Sequence, residues 1–364
     1  MRRLRADFRF AAGLSLRIMC GAEISVVVVN WNRSEYLRAC LESLERQRNA
    51  DFEVIVVDNG STDGSVEMLR AEFLPRQGFR VSVIVNQANQ GFCAANNQGF
   101  DASSGRFIAI LNNDAEADPD FLAAMRRAFE VAPDIGMAAA KVLVHGDPRR
   151  LDKVGHSIYP DGQNRGRGTG EIDHGQYDLV EECLWPDGSA AMYRKAMLDQ
   201  IGGFDEDLFA FGDDAELGLR ARIAGWRCLY VPGAVARHHR GGTLNAGSMD
   251  RVFLIERNRV LLAVKLFPWS LLLLNPFYFA LRLAGGLLAA AGGRGEMAHF
   301  PGLRNKALLA WTIVRADFAA ARMLPRTLRK RREVRRIAKL TPAAVRRLIL
   351  DHGIPVRTLL EQSN

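Results

Sequence analysis

Ile24-Ser25-Val26-Val27-Val28-Val29-Asn30-Trp31-Asn32 is the stretch on which the reading of this sequence turns. Its β-branched run predicts a strand buried on both faces, closed by polar residues. Downstream, Ser34 is placed to cap a helix whose apolar face is Leu37, Cys40, Leu41 and Leu44. Val54 to Val57 predicts a second strand, ending in the turn cluster Asp58-Asn59-Gly60-Ser61. Helix over Gly64 to Phe73, strand over Val81 to Val85, helix over Gly91 to Ala102, strand over Phe107 to Leu111 and helix over Pro119 to Val131 follow in turn. Such alternation predicts βαβ units, an α/β fold with a mostly parallel sheet covered by helices. Ligands bind such sheets beyond the carboxyl ends of the strands. The residues there are Asn30-Trp31-Asn32, Asp58-Asn59, Asn86 and Asn112-Asn113-Asp114. His145 to Gln176, rich in Gly, Asp and Arg, reads as a long mobile loop. Order returns from Leu184 to Tyr230, and Ala234 to Ala246 reads as a polar loop.

The 364 residues carry 48% hydrophobic and 25% charged side chains, which excludes a disordered, collagenous or disulfide-scaffold protein. The net charge of +8 is unevenly spread. Residues 322–347 hold eleven Lys/Arg against Glu333 alone, and residues 1–17 hold five Arg against Asp7, so the remainder is net negative. The five cysteines, Cys20, Cys40, Cys93, Cys183 and Cys228, have no metal-ligand spacing and suit a reducing cytoplasm. Met1 to Cys20 is basic, and its apolar stretch is too interrupted for a secretory signal. It is expected to be a mobile extension or to precede the true start at Met19.

Three carboxylate clusters carry potential chemistry: Asp58; Asp114 in Asn112-Asn113-Asp114-Ala115-Glu116; and Asp213-Asp214-Ala215-Glu216. A strand-end carboxylate can accept from a base edge or ribose or hold a divalent cation, and it can equally form a turn with its own backbone. Asp213-Asp214 stands at a predicted helix start, either as dipole partner or as general base. His238-His239 is a candidate metal or phosphate partner, whereas His145, His156, His174, His299 and His352 read as surface histidines. P-loop, Rossmann, zincin and G-x-S-x-G signatures are absent from the sequence.

In order and spacing, Asn30-Trp31-Asn32-Arg33, Asp58-Asn59-Gly60-Ser61-Thr62-Asp63-Gly64-Ser65, Asn89-Gln90-Gly91-Phe92, Asn112-Asn113-Asp114, Gly202-Gly203-Phe204-Asp205-Glu206, Asp213-Asp214-Ala215-Glu216-Leu217 and His238 five residues before Thr243 resemble the family 2 glycosyltransferases of GT-A fold, in their bacterial rhamnosyltransferase-like branch. The resemblance implies an inverting transfer from a nucleotide-sugar donor, dTDP-rhamnose or a UDP-sugar, to a glycan or lipid-linked acceptor in cell-surface polysaccharide synthesis. It implies Mg²⁺ or Mn²⁺ on Asp114, His238 or His239. Asn30, Trp31, Arg33, Glu35, Asp58, Asn89 and Asn113 would bind the nucleotide, with Trp31 stacking on the base. Asp214 would be the catalytic base, with Asp187, Gly188 and Asp213 on the acceptor side. Asn112 and Asp213 depart from the family pattern, where Asp and Glu are usual. A sugar-nucleotide pyrophosphorylase would want a Gly-rich loop after the first strand, and Asn30 to Leu37 has no Gly. A catalytically silent nucleotide-sugar-binding scaffold at a membrane is the other alternative.

Leu266 to Gly292 has one charge, Arg282, and its longest uncharged run is 16 residues, short of the roughly 18–20 a spanning helix needs. An interfacial or re-entrant hairpin is expected there, followed by the basic segment addressed to anionic lipid rather than nucleic acid, since no aromatic interrupts Arg326 to Arg347. The expected organisation is a basic extension (1–22), a GT-A catalytic domain (23–250) and a helical, amphipathic, basic membrane-associating region (251–364). The expected location is the cytoplasmic face of the cell membrane, held peripherally.

Overall fold

The apolar run that opens the sequence forms β1 (Ile24–Asn30) at the heart of the sheet. It is apolar throughout because both its faces are covered. Val26 and Val28 pack into one core and Val27 into a second core on the opposite face. Each such side chain contributes about 1.5–3 kcal/mol on full burial. The computed structural model describes residues 21–239, 248–291, 300 and 302–355. The basic segment before residue 21 and Arg240-Gly241-Gly242-Thr243 lie outside the described residues.

From β1 the chain runs through α1 (Ser34–Glu45), β2 (Phe52–Asp58), α2 (Ser65–Met68), β3 (Val81–Val85), α3 (Phe92–Ala102) and β4 (Phe107–Leu111). These strands lie parallel in the order β3-β2-β1-β4. Then come β5 (Ala115–Ala117), α4 (Phe121–Ala128), β6 (Ile135–Val144), β7 (Asp147–Lys153), β8 (His156–Ile158), β9 (Asn164–Gly166), β10 (Glu181–Cys183), β11 (Ala190–Arg194), α5 (Lys195–Ile201), α6 (Asp213–Ile223) and β12 (Arg227–His238). Strand β11 enters antiparallel between β4 and β6, while β12 runs parallel to β6. The sheet is therefore mixed, with its parallel half where the alternating pattern lies.

Two expectations are corrected. Ser34 is not the cap of α1 but its first residue, and its N–H donates to Asp63 Oδ2 at 2.9 Å. The cap comes from a loop 29 residues away. His145 to Gln176 is not a mobile loop: it contains β7, β8 and β9, with Gly155 (φ +87°) making the corner between the first two. Its glycines and aspartates are turn residues of short strands. Two cysteines distant in sequence also meet in space. Cys183 and Cys228 face each other across β10 and β12 as buried thiols, with Sγ atoms 3.3 Å apart.

The remaining chain is helical: α7 (Met249–Leu266), α8 (Trp269–Leu272), α9 (Asn275–Ala291), α10 (Leu303–Ile337) and α11 (Pro342–Asp351). α10 packs along α7 through Leu309, Thr312, Ala316 and Ala320. Part of the basic segment is spent on this docking. Lys330 pairs with Asp205 and Asp207, Arg326 pairs with Asp207, and the buried Arg331 donates to the carbonyls of Val264 and Phe267 at 2.7 Å. Arg282, the one charge in its apolar stretch, is held by Asp161 and Glu256. No described helix is long and apolar enough to cross a membrane.

Candidate active site

The parallel register of β1 and β2 sets Asn30 beside Asp58 at their carboxyl ends. Asn30 Nδ2 donates to Asp58 Oδ2 at 3.0 Å, and Asn30 Oδ1 accepts from Asn113 Nδ2 at 2.7 Å. Asp58 Oδ1 accepts from the N–H of Ser61 at 2.9 Å. Asp58 thus forms a turn with its own loop and also stands, fully buried, at the sheet rim. Asn32 braces the neighbouring loop, accepting from the Thr62 N–H at 2.7 Å. Between these loops Trp31 is 38% exposed, unusual for so large an aromatic. Glu35 is exposed in the first turn of α1, and the Arg33 guanidinium lies over the Tyr36 ring at 5.5 Å. Asn89 belongs to an adjoining amide network, accepting from Asn59 Nδ2 at 2.9 Å and from the Gly91 N–H at 2.8 Å.

β5 pairs antiparallel with the end of β12, placing His238 opposite Ala115 and so next to Asp114. His238 Nε2 lies 3.2 Å from Asp114 Oδ1, and its Nδ1 lies 2.8 Å from Asp152 Oδ2. Burial would lower the imidazole's pKa, but hydrogen bonds to the two carboxylates outweigh it and raise it to about 9. Burial would raise Asp114, but the His238 contact outweighs it and holds that carboxyl below its usual range. A carboxylate on Nδ1 is how proteins orient a histidine toward a metal. Here it leaves Nε2 and Asp114 Oδ1 side by side, so the residues fit a divalent cation. His239 diverges from this pair. Its N–H donates to the Asp114 carbonyl at 2.9 Å, while its ring turns toward Glu116 and His145.

The third cluster forms where α6 begins. Gly212 takes the left-handed conformation (φ +73°) that turns the chain into the helix and places Asp213 and Asp214 in its first turn. His156 Nε2 bridges to Asp187 Oδ2 at 2.8 Å and to Asp214 Oδ2 at 3.2 Å. Lys153 Nζ reaches the same Asp187 oxygen at 2.7 Å. Gly188 packs on the acid pair: a Cβ there would sit 3.6 Å from Asp213 Oδ2 and 3.8 Å from Asp214 Cβ. Burial and the neighbouring Asp214 charge push Asp213 up to about 8. Burial would also raise Asp187, but the Lys153 charge and the His156 hydrogen bond hold it well below the carboxylate range. Neighbouring carboxyls driven apart in this way can take different protonation states at one pH.

Asp187, Gly188, Asp213 and Asp214 therefore converge, as do Asn30, Asp58 and Asn113. Asp152, Lys153 and His156 were missed because they lie in the stretch read as a loop, and the surface assignment of His156 is overturned: it is 5% exposed. A signal was present, since Asp152, Val154, His156 and Ile158 alternate along the chain from β7 into β8 and are all buried.

Residues 25–202 match the model of glycosyl transferase family 2. Those residues form a glycosyl transferase family 2 domain. It is 38% identical over 104 residues to the Bacillus subtilis (strain 168) glycosyltransferase EpsH, covering 29% of each chain. It is 25% identical over 239 residues to the N-acetylglucosaminyl-diphospho-decaprenol L-rhamnosyltransferase of Mycobacterium tuberculosis (strain ATCC 25618 / H37Rv), covering 60% of this chain and 76% of that protein. Among solved structures, GalNAc-T7 with UDP, GalNAc and Mn²⁺ superposes with a TM-score of 0.58 at 14% identity, over 72% of this chain and 50% of that one. The sheet and its flanking helices are of GT-A type.

Proposed function

We propose that this protein is an inverting glycosyltransferase that moves a sugar from a nucleoside-diphosphate donor to a hydroxyl of a glycan or lipid-linked acceptor. The observation that carries this reading is the acid cluster at the start of α6. There Asp214 is held by the buried His156 beside Asp187, while Asp213 is pushed toward its neutral form. Asn30, Asp58 and Asn113 would hold the base and ribose, Trp31 would stack on the base, and Arg33, Glu35 and Asn89 would border them. Mg²⁺ or Mn²⁺ would be held by Asp114 and His238, oriented by Asp152, and would supply positive charge to the departing diphosphate. Asp214 takes the proton of the acceptor hydroxyl as its oxygen bonds to the anomeric carbon. The bond from that carbon to the diphosphate oxygen breaks on the opposite face, inverting the centre. The M. tuberculosis rhamnosyltransferase relative favours a dTDP-rhamnose or UDP-sugar donor and an acceptor in cell-surface polysaccharide synthesis.

General-base help is worth typically ~10²–10⁴-fold. Asp214→Asn should lose turnover by about that factor while still binding donor nucleotide, as followed by product formation and calorimetry. Near-normal turnover would remove Asp214 from the role.

Peripheral attachment to the inner face of the cell membrane belongs to the same reading. α9 exposes Phe277, Leu281 and Leu288 along one side, and α10 exposes Trp311, Val314 and Phe318. At the same helical spacing, Arg322, Arg329, Arg332 and Arg336 continue the exposed side of α10. An apolar face running into a basic one suits an anionic bilayer surface.

A further inference from the structure

Beside the Asp114–His238 pair lies a separate cluster built by three elements that the sequence holds far apart. Glu116 comes from β5, His145 follows β6, and His239 follows β12. The two imidazoles stack with centroids 3.6 Å apart at 21°, and both Nε2 atoms converge on the same Glu116 oxygen, at 3.2 Å for His145 and 3.4 Å for His239. The three ligand atoms all lie within 4.8 Å of one another. The backbone enforces this arrangement. His145 N–H donates to the His238 carbonyl and His239 N–H to the Asp114 carbonyl, both at 2.9 Å. On its other face His239 meets the Tyr36 ring at 4.7 Å. All three side chains are partly exposed, so solvent or a ligand reaches the open side.

Two imidazole nitrogens and one carboxylate oxygen aimed at one point make a donor set suited to a borderline transition ion. An all-oxygen cage, as magnesium or calcium prefers, would look different. We propose that Glu116, His145 and His239 form a second divalent transition-metal site, distinct from the one proposed at Asp114 and His238. It explains why two adjacent histidines point to different partners. His238 is engaged at both ring nitrogens by Asp114 and Asp152, whereas His239 turns its Nε2 to Glu116 and His145. An ion here would place a further positive charge on the sheet rim, next to the strand end that carries Asp114.

The site is tested by titrating the metal-free full-length protein with Co²⁺, followed by calorimetry and by the visible bands of nitrogen-ligated cobalt. Wild type should take up two ions per chain. His145→Gln should lose one of them, with an affinity loss exceeding the ~10–100-fold typical of removing an outer-shell partner. Glu116→Gln should behave alike. The double variant Asp114→Asn/His238→Gln should retain one ion and its visible bands. Unchanged stoichiometry and affinity in His145→Gln would overturn the site, as would loss of all Co²⁺ in a folded Asp114→Asn/His238→Gln protein. If that double variant fails to fold, His145→Gln still decides, because its substitution lies on the surface. The readout is ion uptake, so absent sugar transfer in the wild type would count against the proposed function alone.

Discussion

Asp213 is a residue whose protonation is strongly displaced by its surroundings. Its carboxyl is buried beside Asp214, and its folded pKa of about 8 stands above the unfolded value of 3.8. The folded state therefore binds the proton more tightly than the unfolded chain, and the stability linked to it declines as pH rises from about 4 toward 8. Asp213→Asn keeps the neutral hydrogen-bonding shape and removes the titration. Its melting temperature should gain on wild type as pH is raised from 5 to 9, as thermal scans at several pH values would show. A constant gap across that range would mean that Asp213 ionises normally. The acid pair is legible in sequence, but the partner of Asp214, His156, and the partner of the neighbouring Asp187, Lys153, come from strands whose composition resembles that of a loop.

At the scale of elements, the position of α6 decides where the acid pair sits. Gly218 lets that helix approach the loop bearing Trp185: a Cβ on residue 218 would lie 2.2 Å from Trp185 Cβ and 2.6 Å from its Cγ. Trp185 is fully buried and its ring stacks near His156, with centroids 6.2 Å apart. Neither partner has room to yield. Gly218→Ala should cost about 1–3 kcal/mol, the usual range for an overpacked core, against the gain that alanine brings to a helix interior. A lowered melting temperature measures it; an unchanged or raised one would show that the helix can shift. The same logic explains why β1 was readable in advance and β7 to β9 were not. A strand buried on both faces must be apolar throughout, whereas short strands linked by glycine corners carry little periodic signal.

For the whole molecule, the proposed membrane attachment rests on the two sides of the helical region. One side of α10 is pinned to the rest of the protein by Lys330, Arg331 and the residues packed on α7, and the other presents apolar and then basic side chains. Anionic liposomes should float the wild-type protein at low salt. Trp311→Ser/Phe318→Ser should weaken flotation, and replacing Arg322 and Arg329 by Gln should cost about 1 kcal/mol for each charge removed, roughly fivefold per residue. Protein that stays at the bottom of the gradient at low salt would refute membrane attachment.

The net charge of +8, read by position, already separated a negative body from basic ends. Sequence alone likewise determined the parallel half of the sheet, the rim acids and the helix bearing Asp213-Asp214, because apolar periodicity and turn chemistry are local properties. Tertiary structure decided what local pattern cannot encode. It set Asp152 against His238 and His156 between Asp187 and Asp214, joined Glu116 to His145 and His239, and turned part of the basic segment inward as an anchor. Each of these is a pairing across strands or helices remote in sequence, made when register and packing bring their side chains within reach.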